Sequence, residues 1–169
     1  MRFLKFLIVV IVIIGIPIVF SGCQNNNPIV TIRMKSGDII KMELYPEIAP
    51  NTVKNFVYLV DTGFYNGLTF HRVIPGFIIQ GGSPDGSDTG GPGYYIKGEF
   101  EINGMENKLL HKRGTVAVDR RLNDNNSAGS QFFIMVGDKE DLDGAYAAFG
   151  KVFAGMDVVD KIVQVPADG

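Results

Sequence analysis

The chain has one cysteine, no tryptophan and only two histidines among its 169 residues. A single thiol forms no internal disulfide and cannot by itself build a thiolate zinc site, so neither device staples the fold. His71 and His111 stand far outside metal-pair spacing, and no cysteine beyond position 23 can serve as a nucleophile, which disfavours metal and Cys-His chemistry. A Ser-His-Asp set is no better supported. Ser130 lacks the Gly-x-Ser-x-Gly elbow, and His71 lies in a strand pattern, where it reads as a hydrogen-bonded structural residue. Excess positive charge is absent too: 16 basic residues face 18 acidic ones, so there is no basic footprint for nucleic acid. The reading is of a protein without metal or nucleic-acid partner.

What is present divides in two. Arg2 and Lys5 precede a run from Phe6 to Phe20 that is apolar except for Gly15 and Pro17, and the run ends at Phe20-Ser21-Gly22-Cys23. Basic, apolar and small-residue regions in that order are the layout of a signal peptide, here residues 1–22. The run falls short of the roughly 20 residues that span a bilayer comfortably. Small residues directly before Cys23 resemble a bacterial lipobox, with Phe20 where leucine is usual; an uncleaved anchor and cleavage at another small residue are the alternatives. Lipidated Cys23 would become the new N-terminus, with more than one acyl chain to hold the protein stably at the membrane. Residues 23–28 then read as lipidated cysteine and polar tether, and the domain from 29 to 169 is placed on the extracytoplasmic face of the cell membrane.

From Ile29 the apolar pattern has period two. Ile29–Met34 and Ile39–Leu44 flank Lys35-Ser36-Gly37-Asp38, which predicts a hairpin. Thr69–Ile74, Phe77–Gln80, Thr115–Val118, Gln131–Val136 and Phe149–Phe153 are further strand candidates. Val53, Phe56, Val57 and Val60 after Pro50, and Met156, Val159, Ile162 and Val163 near the end, repeat at helical spacing. Seven or more short strands with two helices suggest a closed barrel with helices over its ends. Residues 81–93 hold six glycines but no phosphate-cradle Lys, and Ile96 stands where a calcium loop needs Glu, so the stretch reads as a surface loop beside a groove.

The densest pattern runs from Phe70 to Gly82: Phe-His-Arg-Val-Ile-Pro-Gly-Phe-Ile-Ile-Gln-Gly-Gly. Strand periodicity puts Arg72 on one face with Phe70 and Ile74. A guanidinium on an apolar face is costly unless polar groups meet it, so Arg72 either snorkels to a carboxylate or serves a groove.

This run resembles the signature of the cyclophilin family of peptidyl-prolyl cis/trans isomerases. Ser127-Ala128-Gly129-Ser130-Gln131-Phe132-Phe133-Ile134 resembles a second block of that family, and Leu142-Asp143-Gly144 followed by Phe149-Gly150-Lys151-Val152 a third. Order and spacing agree from about Val30 to Val163. The resemblance implies a mainly β fold, an eight-stranded antiparallel barrel capped by two α-helices, and a monomeric enzyme that needs no cofactor. It implies proline-containing polypeptides as partners and Arg72 with Gln80 as the catalytic pair. Phe77, Ile78, Gln131, Phe133, Leu142, Tyr146, Asp119 and Arg120 are the implied substrate-binding residues. A non-catalytic module that binds proline peptides through the same groove is the alternative.

Departures from the family pattern set further expectations. Asp119-Arg120 stands where Ala-Asn or Ala-Arg is common, which either alters the groove's backbone-binding edge or is neutral on its rim. Asp141 replaces a frequent aromatic, so cyclosporin should bind weakly, and Tyr146 replaces a histidine. The family continues past the second helix into a last strand, whereas this sequence stops at Gly169, so the barrel is expected one strand short.

Overall fold

A computed structural model describes residues 27–165. The leader, Cys23 and most of the tether lie outside the described residues, as do positions 166–169. Seven strands form one antiparallel sheet: β1 (Ile29–Arg33), β2 (Ile39–Leu44), β3 (Arg72–Ile74), β4 (Ile78–Gly81), β5 (Thr115–Val118), β6 (Phe132–Met135) and β7 (Ala148–Ala154). Two helices accompany it, α1 (Pro50–Asp61) and α2 (Met156–Gln164). The order across the sheet is β1-β2-β7-β5-β6-β4-β3, a curled cyclophilin-like half-barrel with β1 and β3 at its edges. No helix of the described residues is long and apolar enough to cross a membrane.

The β1–β2 hairpin closes as its loop chemistry requires. Gly37, at φ 91°, supplies the left-handed residue, and Met34 and Asp38 are joined by a 2.9 Å backbone bond. In α1, Pro50 occupies the first turn, where its missing N–H leaves nothing unsatisfied. The helix has no cap in its own sequence. Glu99 instead reaches it from a distant loop, accepting from the Asn51 and Thr52 backbone N–H groups at 3.0 and 2.8 Å and from the Thr52 hydroxyl at 2.8 Å. Its carboxylate therefore sits on the positive end of the helix dipole.

Alternation along the strands divides apolar residues between two faces. Ile40, Met42 and Leu44 of β2, Ile79 of β4, Val116 of β5, Ile134 of β6 and Val152 of β7 share the main core with Val53 and Phe56 of α1 and Val159 of α2. Phe56 centres an aromatic cluster, with ring centroids 5.0 Å from Tyr65 and Phe149 and 5.2 Å from Phe132. A second cluster, around Ile78, Phe133 and Met135, belongs to the opposite face.

Two strands beside the site start later than the sequence pattern predicts, and both differences matter for the site. The expected strand over Thr69–Ile74 begins only at Arg72. Phe70 does not share a face with Arg72: it turns into the main core, 6.1 Å edge-on to Phe132, while Arg72 is exposed. Its fit against Gly81 explains the break, because an added Cβ there would lie 3.1 Å from the Phe70 ring and 3.2 Å from the Thr69 carbonyl. Phe77 likewise precedes β4, on a turn made by Gly76 at φ 70°. His71 is not hydrogen-bonded as expected; both ring nitrogens are buried without a partner.

Gly82 carries β4 into the glycine-rich loop at φ 90°, and a Cβ there would collide with the Ser130 carbonyl. Gly82→Ala thus combines backbone strain with a clash against main chain. We expect a loss of about 2 kcal/mol or more, read as a lower urea midpoint with an unchanged slope.

Candidate active site

Strand register builds the site. Arg72 of β3 lies opposite Gln80 of β4, Gln80 opposite Phe133 of β6, Phe133 opposite Ala117 of β5, and Ala117 opposite Ala148 of β7. One row of residues therefore crosses five strands on the outer face, each within cross-strand reach of the next. A second row, Ile74, Ile78 and Met135, runs two residues away. The small side chains at Ala117 and Ala148 leave the Phe133 ring as the wall of an apolar hollow. Phe77, Leu142, Tyr146 and Leu109 pack against this cluster from loops, and all four remain half-buried.

The ring contacts hold the hollow's shape. Tyr146 meets Phe133 edge-on, 5.7 Å between centroids at 80°, and His111 stacks on Phe133 at 6.1 Å and 27°. Leu142 ends the 3-10 turn Glu140–Leu142 at the rim. Lys139 Nζ lies 5.6 Å from the centre of the Phe77 ring.

The polar edge is a chain of fixed bonds. Arg72 Nη1 donates to Gln80 Oε1 at 2.9 Å, and Gln80 Nε2 donates to Gln131 Oε1 at 2.8 Å and to Asp119 Oδ2 at 2.9 Å. Gln131 Nε2 donates in turn to the Ser87 and Gly90 carbonyls at 3.0 and 2.8 Å. Gln80 and Gln131 are buried, whereas Arg72 keeps much of its surface in solvent. Burial pushes the Asp119 carboxyl above its ordinary value, against the opposing pull of Arg72 and the Gln80 hydrogen bond. Beyond Gln131 lies a small recess of about 30 Å³ lined by Gly90, Tyr95, Asp119, Arg121 and Ser130.

Nine of the ten residues singled out by sequence thus meet along one groove or its polar edge. Arg120 differs in what its side chain does. Its guanidinium lies 4.8 Å from the centre of the Tyr146 ring and 5.2 Å from that of Phe100, and it donates to the carbonyls of Ala145, Arg121 and Leu122. It clamps the loop that carries Tyr146. Sequence reasoning missed His111 and Asp143 behind the hollow: the Asp143 carboxylate accepts from the His111 backbone N–H at 2.7 Å and lies 2.9 Å from ring Nδ1. Their 32-residue separation left no local pattern to find.

Burial holds the His111 imidazole below its ordinary value, with Asp143 and Asp141 opposing. The unfolded chain therefore takes up this proton first. Stability contributed by neutral His111 should be complete above pH ~6.5 and decline as pH falls from there toward the lower folded value. We expect a lower urea midpoint at pH 5.5 than at 7.5, and a smaller difference in His111→Gln.

The site sets a guanidinium beside an apolar cluster on the outer face of the sheet, and comparison with known proteins decides what it belongs to. The model for "Cyclophilin type peptidyl-prolyl cis-trans isomerase/CLD" matches residues 29–169. The chain belongs to the cyclophilin family. Peptidyl-prolyl cis-trans isomerase B of Bacillus subtilis is 48% identical over 124 residues, covering 73% of this chain and 82% of the relative. A Helicobacter pylori peptidyl-prolyl cis-trans isomerase is 48% identical over 136 residues, 79% of each chain. A crystal structure of a Cryptosporidium parvum cyclophilin in the presence of the dipeptide Ala-Pro superposes with a TM-score of 0.74 at 33% identity. That match covers 83% of this chain and 87% of the other. The cyclophilin described here is a peptidyl-prolyl cis-trans isomerase.

Proposed function

We propose that this cyclophilin isomerises Xaa-Pro bonds in polypeptides outside the cytoplasm, held at the membrane by lipid on Cys23. The observation that carries the proline-peptide reading is the five-strand row, which sets Arg72 and Gln80 beside the hollow walled by Phe133. The crystal structure of the Cryptosporidium cyclophilin in the presence of Ala-Pro supports the same class of ligand.

The chemistry follows from the peptide bond. Its planarity comes from delocalisation of the nitrogen lone pair, and rotation faces a barrier of about 18–20 kcal/mol. Uncatalysed prolyl isomerisation therefore takes tens to hundreds of seconds. As the bond twists, the prolyl nitrogen pyramidalises and its lone pair becomes a hydrogen-bond acceptor. Arg72, always charged and held from behind by Gln80, donates to that nitrogen only in the twisted state. Binding the twisted state better than either planar state is what lowers the barrier. Removing about 7 kcal/mol would give about 10⁵-fold acceleration. Phe77, Ile78, Phe133, Leu142 and Tyr146 grip the proline ring while the preceding segment turns, Asp119 and Gln131 stand at the groove's polar edge, and Arg120 braces the loop that carries Tyr146. No bond is broken.

A protease-coupled assay on a proline tetrapeptide tests the activity: the isomerisation rate should rise linearly with protein, and a rate equal to background would overturn the reading. The anchoring is tested separately. Labelled palmitate should enter the full chain in a bacterial host and be lost in Cys23→Ala; label retained in that variant would refute lipidation at Cys23.

A further inference from the structure

The hydrogen bonds around Gln80 have polarities that cannot be reversed. Gln131 Nε2 faces two backbone carbonyls, Ser87 and Gly90, which can only accept. The Gln131 amide is thereby fixed, and its Oε1 must receive one proton of Gln80 Nε2. The other Gln80 amide proton goes to Asp119 Oδ2 at 2.9 Å. With both amide protons engaged, Gln80 Oε1 can face only Arg72, whose guanidinium can only donate.

We infer that Asp119 is a positioning residue, acting through the buried Gln80 amide to hold Arg72 in its reactive geometry. Without the carboxylate, one amide proton of a side chain 1% exposed would lack its partner. Gln80 would then be held by its single bond to Gln131 Oε1, and its own Oε1 would be less firmly fixed opposite the guanidinium. Arg72 is exposed and has a long flexible stem, so it depends on that single oxygen for a fixed approach. The site of Asp119 suits this task. It directly follows β5, and its backbone N–H donates to the Gln131 carbonyl at 2.9 Å, which ties it to the strand end carrying the other amide. On strand alternation it shares a face with Ala117, the row that includes Gln80.

The charged groups whose fields reach Asp119 are Arg72 on β3 and Asp88 in the loop after β4; the titratable Tyr146 hydroxyl precedes β7, and the Arg120 backbone N–H lies next along the chain. Protonating Asp119 leaves a neutral acceptor, much as Asp119→Asn does. The two conditions should give the same intermediate rate.

The inference rests on Arg72 acting on the twisted bond, so Arg72→Ala is measured in the same series. We expect Asp119→Ala to lower kcat about tenfold with KM changed less than twofold, and Asp119→Asn to lower it about threefold with no dependence on pH between about 4.5 and 7.5. Wild-type kcat should fall toward the Asp119→Asn value as pH drops through the raised Asp119 value. In ¹⁵N spectra the Gln80 side-chain amide should be one sharp pair in the wild type and should broaden or shift in Asp119→Ala. The inference is overturned if Asp119→Ala stays within twofold of wild type, or if Asp119→Asn is no better than Asp119→Ala. Should Asp119→Ala fail to fold, the wild-type pH profile against the Asn variant decides alone: convergence supports the inference and a flat wild-type profile refutes it. Arg72→Ala retaining full activity would instead overturn the reading of the site itself.

Discussion

Arg72→Ala should lower kcat/KM by at least 100-fold, about 2.7 kcal/mol of transition-state stabilisation at about 1.36 kcal/mol per tenfold. The loss should fall mainly on kcat, because the guanidinium donates to a nitrogen that becomes an acceptor only during rotation, while the apolar hollow binds the planar substrate. Stability should hardly change. Arg72 is exposed and its one side-chain hydrogen bond is to Gln80, and surface substitutions of this kind usually stay within about 0.5 kcal/mol. Arg72→Lys should recover little of the rate, since an ammonium lacks the planar fork that bonds Gln80 and substrate together. Protease-coupled kinetics with a proline tetrapeptide and a urea melt of the same samples separate the two effects.

The largest expected loss of stability lies far from the chemistry. Glu99→Ala should cost about 2–4 kcal/mol, because three donors at the start of α1 lose their common acceptor in a site only 1% exposed. Glu99→Gln keeps the shape and one oxygen and should cost about half as much. Urea denaturation with a constant slope would show both, and the folded fraction of each variant should isomerise at the wild-type rate. That contrast with Arg72 follows from position: α1 packs on the inner face of the sheet through Val53 and Phe56, while the groove lies on the outer face.

Much of this molecule is legible in one dimension because its strands are short and their register is tight. Thr115–Val118 and Ile39–Leu44 are read from alternation to the residue, and the α1 face from the spacing of Val53, Phe56 and Val60. Among the described residues, the sheet's seven antiparallel strands agree with the expected mainly β, cyclophilin-like architecture. The site residues could be named because three motifs resemble a family. Alternation by itself misplaced Phe70, which a close fit against Gly81 turns to the opposite face from Arg72.

What stayed hidden has one physical cause: partners that meet only after folding. Glu99 caps a helix 47 residues before it, Asp143 braces His111 from 32 residues away, and Arg120 turns its charge toward Phe100 and Tyr146. Asp119 is the instructive case. In sequence it is a departure from a family pattern whose meaning is open. In the structure it holds the second proton of a buried amide that faces Arg72.

The central claim is that the groove binds the twisted Xaa-Pro bond better than either planar form, and NMR exchange spectroscopy on a proline peptide tests it most directly. With catalytic amounts of the protein, cis and trans resonances should show exchange cross-peaks within a second, at substrate concentrations that also shift signals of Phe77, Phe133, Leu142 and Tyr146. The same shifts without faster exchange would describe a module that binds proline and does not isomerise it, and would contradict the account.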